Sequence, residues 1–276
     1  VAAHNRYTLE IAVPLSPIDV AGTTLAAGMQ GDGPALMLIA GLGGRAAFWS
    51  NQVETLKQKH SILEHDHRGT GGSARDPGPY SIEQMAADAL AVLDHFEVER
   101  TDIVGHSTGG AIAQYLAIHH PERLNKVVIS ASWAGPNTYL ATLFDIRRRV
   151  LKELGPEAYL TDGQLRGFSA DIMIEKAASI GSDRAARLAQ FPGEEIEQSR
   201  IDAVLGHDVR ARLGEIKAQT LVICAADDQI TPLPLSAELA NAIPGAQLKT
   251  LPTGGHFAPQ GVPALYTPAI QTFLQS

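Results

Sequence analysis

Over residues 35 to 133, short apolar runs alternate with longer stretches of helical period. The runs Ala35 to Ala40, Ser61 to Glu64, Asp102 to Val104 and Lys126 to Ala131 predict strands, and Ala46 to Lys59, Ser81 to Phe96 and Thr108 to His119 predict the helices between them. Ser81 and Gln84 have the spacing of a capping box just before an apolar stripe, and Pro121 closes the third helix. The alternation resumes with strands near Thr220 to Ala225 and Gln247 to Leu251, and helices near Pro234 to Ala242 and Val262 to Leu274. Strands that alternate with helices pair through crossovers, so the pattern predicts an α/β fold with a mostly parallel central sheet flanked by helices.

Residues 134 to 213 break the alternation. They carry no strand pattern, and their clearest period places Tyr139, Leu140, Leu143, Phe144, Val150, Leu151 and Leu154 on one helical face. Glycines at 163, 167, 181, 193 and 206 predict short helices joined by turns. The chain therefore divides into a core domain made of residues 1–133 and 214–276 and a helical segment, 134–213, inserted in it.

Composition narrows the classes of function. With 276 residues and 45% hydrophobic side chains, the chain can bury a sizeable core without staples. Thirty acidic against 22 basic side chains leave no electrostatic footprint for nucleic acid or for an anionic membrane. The basic run Arg147-Arg148-Arg149, flanked by Asp145 and Glu153, reads as a solvated helix face. The longest apolar stretch, around Leu36 to Leu42, is too short to span a bilayer, and Val1 to Tyr7 has no signal-peptide core, so a cytoplasmic location is expected. The single Cys224 excludes an internal disulfide and lies in an apolar run, where it reads as a small buried hydrophobe. Oligomeric state is not legible.

The strongest chemical signal is Gly105-His106-Ser107-Thr108-Gly109, a G-x-S-x-G string between a predicted strand and a predicted helix. A sharp strand-to-helix turn needs small residues two positions either side of the serine, and it holds the hydroxyl clear of the sheet. A serine hydroxyl is a poor nucleophile at neutral pH and needs a base, which in turn needs an orienting acid. His256 follows the last predicted strand at the sheet edge and is the candidate base. Asp227 and Asp228, at the end of the strand before it, are the candidate acids. Spacing to Pro232 favours Asp228, while Asp227 reads as a turn cap whose alanine variant keeps most activity. His65 and His67 flank Asp66 in the manner of metal ligands, but Asp66 to Ser73 reads as a glycine-rich turn held by Asp and Arg contacts. No metal site and no cofactor are expected.

An acyl-transfer site also needs donors for the developing oxyanion. Gly41-Leu42-Gly43-Gly44 follows the first strand and would free the Leu42 amide to face Ser107, with the Thr108 amide as the second donor. The same loop lacks both G-x-x-x-x-G-K and G-x-G-x-x-G, which argues against a phosphate cradle.

The order Ser107, Asp228, His256, together with the Gly41 loop and the Asp66 turn, resembles the α/β-hydrolase fold across essentially the whole chain. Gly41 to Gly44 with Trp49, Arg68 to Gly71 and Cys224 to Asp228 resemble the aminoacrylate hydrolases of pyrimidine utilisation, and Asp76 to Gln84 resembles the 3-oxoadipate enol-lactonases. Ala40 departs from the histidine that many relatives carry before the oxyanion glycine. The resemblance implies a metal-free serine hydrolase of small molecules, with residues 134–213 as a cap over the site. The bond expected is an ester, a lactone or an amide-like C–N bond; the alternatives are C–C bond hydrolysis of a keto acid or dienoate, and a receptor-like member that only binds its ligand. Arg45 beside the oxyanion loop, Trp133 and Phe144 are the candidate substrate-binding residues.

Overall fold

The computed structural model describes residues 13–20 and 22–276, so the amino-terminal reading of Val1 to Tyr7 lies outside the described residues. Among the described residues, eight strands form one sheet: β1 (Ser16–Val20), β2 (Thr23–Gln30), β3 (Ala35–Ile39), β4 (Ser61–His65), β5 (Thr101–His106), β6 (Leu124–Ser130), β7 (Gln219–Ala225) and β8 (Gln247–Leu251). They stand in the order β1-β2-β4-β3-β5-β6-β7-β8, antiparallel from β1 through β4 and parallel thereafter. All six strands expected from the sequence are present, with ends shifted by no more than two residues. The antiparallel edge pair β1 and β2 escaped the apolar-run criterion, because β1 is largely exposed and β2 is built from threonine, alanine and glycine around one leucine.

Side chains alternate across the sheet and feed two cores. Met37 and Ile39 of β3 join Ile103, Val127 and Ile129 beneath α2 (Ile82–His95) and α3 (Thr108–His119). Leu36 and Leu38 join Val104, Val128 and Ile223 beneath α1 (Ser50–Leu56) and the helix over Pro263–Leu274. A strand buried on both faces has no polar side, which is why β3 reads as an unbroken apolar run. Ser81 caps α2, its Oγ accepting from the Gln84 amide at 3.0 Å, but the Gln84 side chain donates to Asp88 instead of completing the box.

Between β6 and β7 the described residues contain helices and no strand: α4 (Thr138–Gly167), α5 (Ala170–Glu175), α6 (Ala177–Ala189) and α7 (Glu194–Gly206). Breaks expected at Gly163 and Gly181 do not occur. The chain instead kinks at Gly155, where φ is 82° and ψ −179°, because the following Pro156 lacks an amide and disfavours helical backbone before it. Leu140, Leu143, Phe144 and Leu151 of the expected stripe are buried, while Tyr139 and Leu154 are exposed. The remaining helices are α8 (Leu233–Ala242), the short α9 (Ala258–Gly261) and α10 (Pro263–Leu274). Among the described residues, no helix is long and apolar enough to cross a membrane.

Three buried titratable groups set a pH signature. Burial, reinforced by Asp66, raises the Glu64 carboxyl to about 8, and burial lowers His65 and His207 to about 4, against the opposing pull of Asp88 and Asp208 respectively. A carboxyl raised in the fold stabilises fully below its unfolded value and loses that contribution as pH rises to its folded value; a lowered histidine loses its contribution as pH falls from about 6.5 to 4. Between pH 6.5 and 8 the histidine terms are constant and the Glu64 term declines. The denaturant midpoint of the wild type is therefore expected to fall across that window, and Glu64→Gln to flatten the fall. Equal slopes for the two proteins would refute the assignment.

Candidate active site

One residue separates the end of β5 from the start of α3. That residue, Ser107, has φ 54° and ψ −113°, backbone that side-chain-bearing residues rarely adopt. Its amide donates to Ser130 O at 2.7 Å, and its carbonyl accepts from Ser132 Oγ at 2.9 Å and from the Ala111 amide at 3.1 Å. The flanking glycines are sterically required. A Cβ on Gly105 would lie 2.1 Å from Gly109 O, and one on Gly109 would lie 2.2 Å from Ile39 O. Strand and helix thus approach more closely than any larger residue permits, and the serine stands alone at the bend.

His256 and Asp228 are both buried, and His256 Nδ1 lies 2.9 Å from Asp228 Oδ2. The carboxylate is held on all sides. Its Oδ1 accepts from the Ile230 and Thr231 amides at 2.7 and 2.9 Å, and its Oδ2 accepts from Thr231 Oγ1 at 3.0 Å. Asp227 does not cap its own turn. Its carboxylate reaches across to the histidine loop, where Oδ2 accepts from Thr253 Oγ1 at 2.8 Å and Oδ1 from the Gly255 amide at 2.8 Å. The reading of Asp227 as a turn cap is corrected on this ground, since the residue anchors the segment that carries His256.

Gly41 to Gly44 forms a turn closed by the Gly44 amide donating to Gly41 O at 2.9 Å. A Cβ on Gly41 would lie 3.2 Å from Ser107 Cβ, so the turn packs directly on the serine. Among the described residues, neither the Leu42 nor the Thr108 amide donates to a protein acceptor. For Thr108 this follows from its place as the first residue of α3, where no intrahelical acceptor exists.

Ser107, His256 and the Gly41 turn line one cavity of about 120 Å³, lined from the other side by residues of α4, α6 and α7. Phe144 lines it, as does the half-buried Arg45. Trp133 does not. It is fully buried in the core, with its ring edge-on to His207 at 5.8 Å, because the chain turns inward after β6 through Ala131 at φ 48°. The substrate contact expected of Trp133 is thereby withdrawn. His106 lines the cavity stacked on Phe48 at 4.6 Å, and burial, reinforced by the charge of His256 when protonated, holds it far below the ordinary histidine range.

The reading of Arg147 as a solvated residue is also overturned. It is buried against the cavity, ion-paired to Asp162 at 2.9 Å and lying 4.3 Å over the Tyr159 ring. Tyr159 donates to Glu197 Oε1 at 2.6 Å, and Arg187 of α6 reaches to 3.4 Å from the position a Cβ on Gly43 would take. A signal for Arg147 was present: it falls four residues after Leu143 and four before Leu151, on the buried stripe itself. His65 and His67 stack within the core at 5.3 Å, and the Asp66 turn is tied by Ala46 and Gly72 amides at 2.9 and 2.8 Å. Among the described residues, no group of three His, Cys, Asp or Glu side chains is arranged to hold a metal ion.

The fold, the serine elbow and the helical insert between β6 and β7 define an α/β hydrolase. The family model described as the alpha/beta hydrolase family matches residues 36–268, and the chain belongs to that family and is a hydrolase. A protein of Caulobacter segnis named "Putative carbamate hydrolase RutD" is 36% identical over 242 residues, covering 87% of this chain and 91% of that protein. The protein of the same name from Azorhizobium caulinodans is 39% identical over 228 residues, covering 83% and 86%. The crystal structure of the enol-lactonase from Burkholderia xenovorans superposes with a TM-score of 0.88 at 27% identity, over 95% of this chain and 100% of that one.

Proposed function

We propose that the protein hydrolyses a small polar acyl compound at an ester, lactone or carbamate-like C–N bond, with Ser107 as nucleophile, His256 as general base and acid, and Asp228 orienting His256. The observation that carries this reading is the strained Ser107 opening onto the same cavity as a histidine whose Nδ1 is bound to a buried carboxylate at 2.9 Å. With Nδ1 engaged by Asp228, Nε2 is the nitrogen left to take the Ser107 proton. Ser107 Oγ then bonds the carbonyl carbon, and the carbonyl π pair becomes an oxyanion held by the Leu42 and Thr108 amides. The imidazolium returns its proton to the departing oxygen or nitrogen, leaving an acyl-enzyme. A water molecule, deprotonated by His256, cleaves that ester and restores the serine.

Residues 134–213 act as the cap that closes the site and sets substrate size. A cavity of about 120 Å³ is of the order that admits a benzene-sized guest, not a long acyl chain. Arg147 and Arg187 in its wall are paired to Asp162 and Asp183, which leaves Arg45 as the guanidinium that suits a carboxylate or carbamate group of the substrate. The relatives named as carbamate hydrolases and the enol-lactonase neighbour support the same bond classes.

Hydrolysis of p-nitrophenyl esters tests the reading. The acetate and butyrate are expected to give a much higher kcat/KM than the palmitate, with no jump in rate at the micellar concentration. A fluorophosphonate should label Ser107 alone, as read by mass spectrometry of the peptide. Equal rates on short and long chains, or a label elsewhere, would remove the small-molecule serine-hydrolase reading.

A further inference from the structure

Arg200 on α7 is a cation with no exposed surface. Among the described residues it has no carboxylate within ion-pairing distance, which makes its burial strongly unfavourable unless its donors are all well placed. Its guanidinium is committed to backbone acceptors. Nε and Nη2 both donate to Leu42 O, at 3.0 and 2.8 Å, and Nη1 donates to Arg68 O at 2.9 Å. Nη2 also faces His67 Nδ1 at 3.2 Å, and burial, with the charge of Arg200 adding to it, keeps that imidazole far below its ordinary value and so able to accept.

Two donors of one side chain therefore fork onto the Leu42 carbonyl, in the turn that packs on Ser107 through Gly41. The Leu42 carbonyl shares a planar peptide with the Gly43 amide, and the turn is closed on itself by the Gly44 amide donating to Gly41 O, so holding that carbonyl holds the short turn that carries the Leu42 amide. The approach is tight, for a Cβ on Gly44 would lie 2.7 Å from Arg200 Nη2. The grip comes from the helical insert, while the turn it holds belongs to the core domain.

We infer that Arg200 is a positioning residue for the oxyanion turn, through which docking of the helical insert is coupled to the ability of Leu42 to stabilise negative charge. The inference rests on the role proposed above for the Leu42 amide. It touches neither substrate nor the reacting atoms.

The test compares Arg200→Gln and Arg200→Lys with Ser199→Ala, which removes a neighbouring contact between α7 and the core, the Tyr80 amide donating to Ser199 Oγ at 2.9 Å, without approaching Leu42. Turnover of p-nitrophenyl acetate is measured with the affinity for a small alkyl trifluoromethyl ketone. In that adduct Ser107 Oγ bonds the carbonyl carbon, its proton passes to His256, and the carbonyl oxygen becomes the anion that the turn must hold. Removal of one oxyanion donor costs about 10²- to 10³-fold in kcat, and Arg200→Gln is expected to approach that loss with KM nearly unchanged and ketone affinity falling in parallel. Arg200→Lys should recover part of both, and Ser199→Ala should keep both. If Arg200→Gln does not fold, Arg200→Lys is judged by the same criteria. A folded Arg200 variant with wild-type kcat and ketone affinity overturns the inference, as does a loss matched by Ser199→Ala. Retained turnover in Ser107→Ala would instead overturn the proposed function itself, so the two failures are distinguishable.

Discussion

Ser107→Ala is expected to lower turnover of an activated ester such as p-nitrophenyl acetate by about 10⁴- to 10⁶-fold, because nucleophile, base and orienting acid act as a unit. The fold should survive, since the side chain is small and the backbone bonds of residue 107, to Ser130 and from Ser132 and Ala111, are unaffected. A companion variant separates chemistry from strain. Ser107→Gly removes the same hydroxyl but relieves backbone held at φ 54°, a conformation that costs a side-chain-bearing residue about 1–3 kcal/mol. Glycine returns part of that through its greater unfolded-state freedom, so Ser107→Gly is expected to be inactive yet more stable than Ser107→Ala by about 1 kcal/mol in denaturant melts. Residual activity above a few per cent in either variant would show that another group carries the reaction. Equal stability of the two would show that the bend is not strained.

What could be read before the structure follows from how local each constraint is. The elbow is confined to Gly105 through Gly109, so a five-residue string between two predicted elements was enough to place it. His256 and Asp228 are far apart in sequence, yet each follows a strand of the parallel sheet, and parallel strands bring their carboxyl ends to one edge. The cavity wall had no such guide. Arg147 meets Asp162 across 15 residues, Tyr159 meets Glu197 across 38, and Arg200 meets Leu42 across 158. These pairs depend on how the helices of the insert fold back, and the glycines that seemed to mark its turns at 163 and 181 lie within helices instead. A charged residue on an apolar stripe, as Arg147 is between Leu143 and Leu151, was the one signal in the sequence that solvent was not its partner. Trp133 misled for the converse reason: it follows the strand next to the nucleophile, but the backbone turns its ring into the core.

Asp228→Asn and Asp227→Asn are expected to fail differently, and the difference tests the assignment of the acid. An asparagine at 228 can present its amide nitrogen to His256 Nδ1 and so favour the tautomer whose proton sits on Nε2, where it blocks transfer from Ser107. That change should cost about 10⁴-fold in kcat while the Ile230 and Thr231 amides continue to hold the side-chain oxygen. Asp227 acts through the loop. It accepts from Gly255, whose φ of 64° and close approach to Gly167 O, 2.5 Å from where a Cβ would stand, leave the loop little room to shift without carrying His256 with it. On the other side the Phe257 amide donates to Gly167 O at 2.7 Å, so the loop is held between the end of α4 and Asp227. Releasing one of these holds displaces the imidazole but leaves its tautomer intact, and a misplacement of this kind costs about 10²-fold. Both variants give up charge-assisted hydrogen bonds, from Thr253 and Gly255 at 227 and from Thr231 and His256 at 228, so both are expected to melt below the wild type and the kinetics carry the distinction. Steady-state kinetics and thermal melts on the two variants decide the matter. A larger kcat loss at 227 than at 228 would transfer the orienting role to Asp227, and equal losses would mean that the two carboxylates hold the histidine loop as one unit.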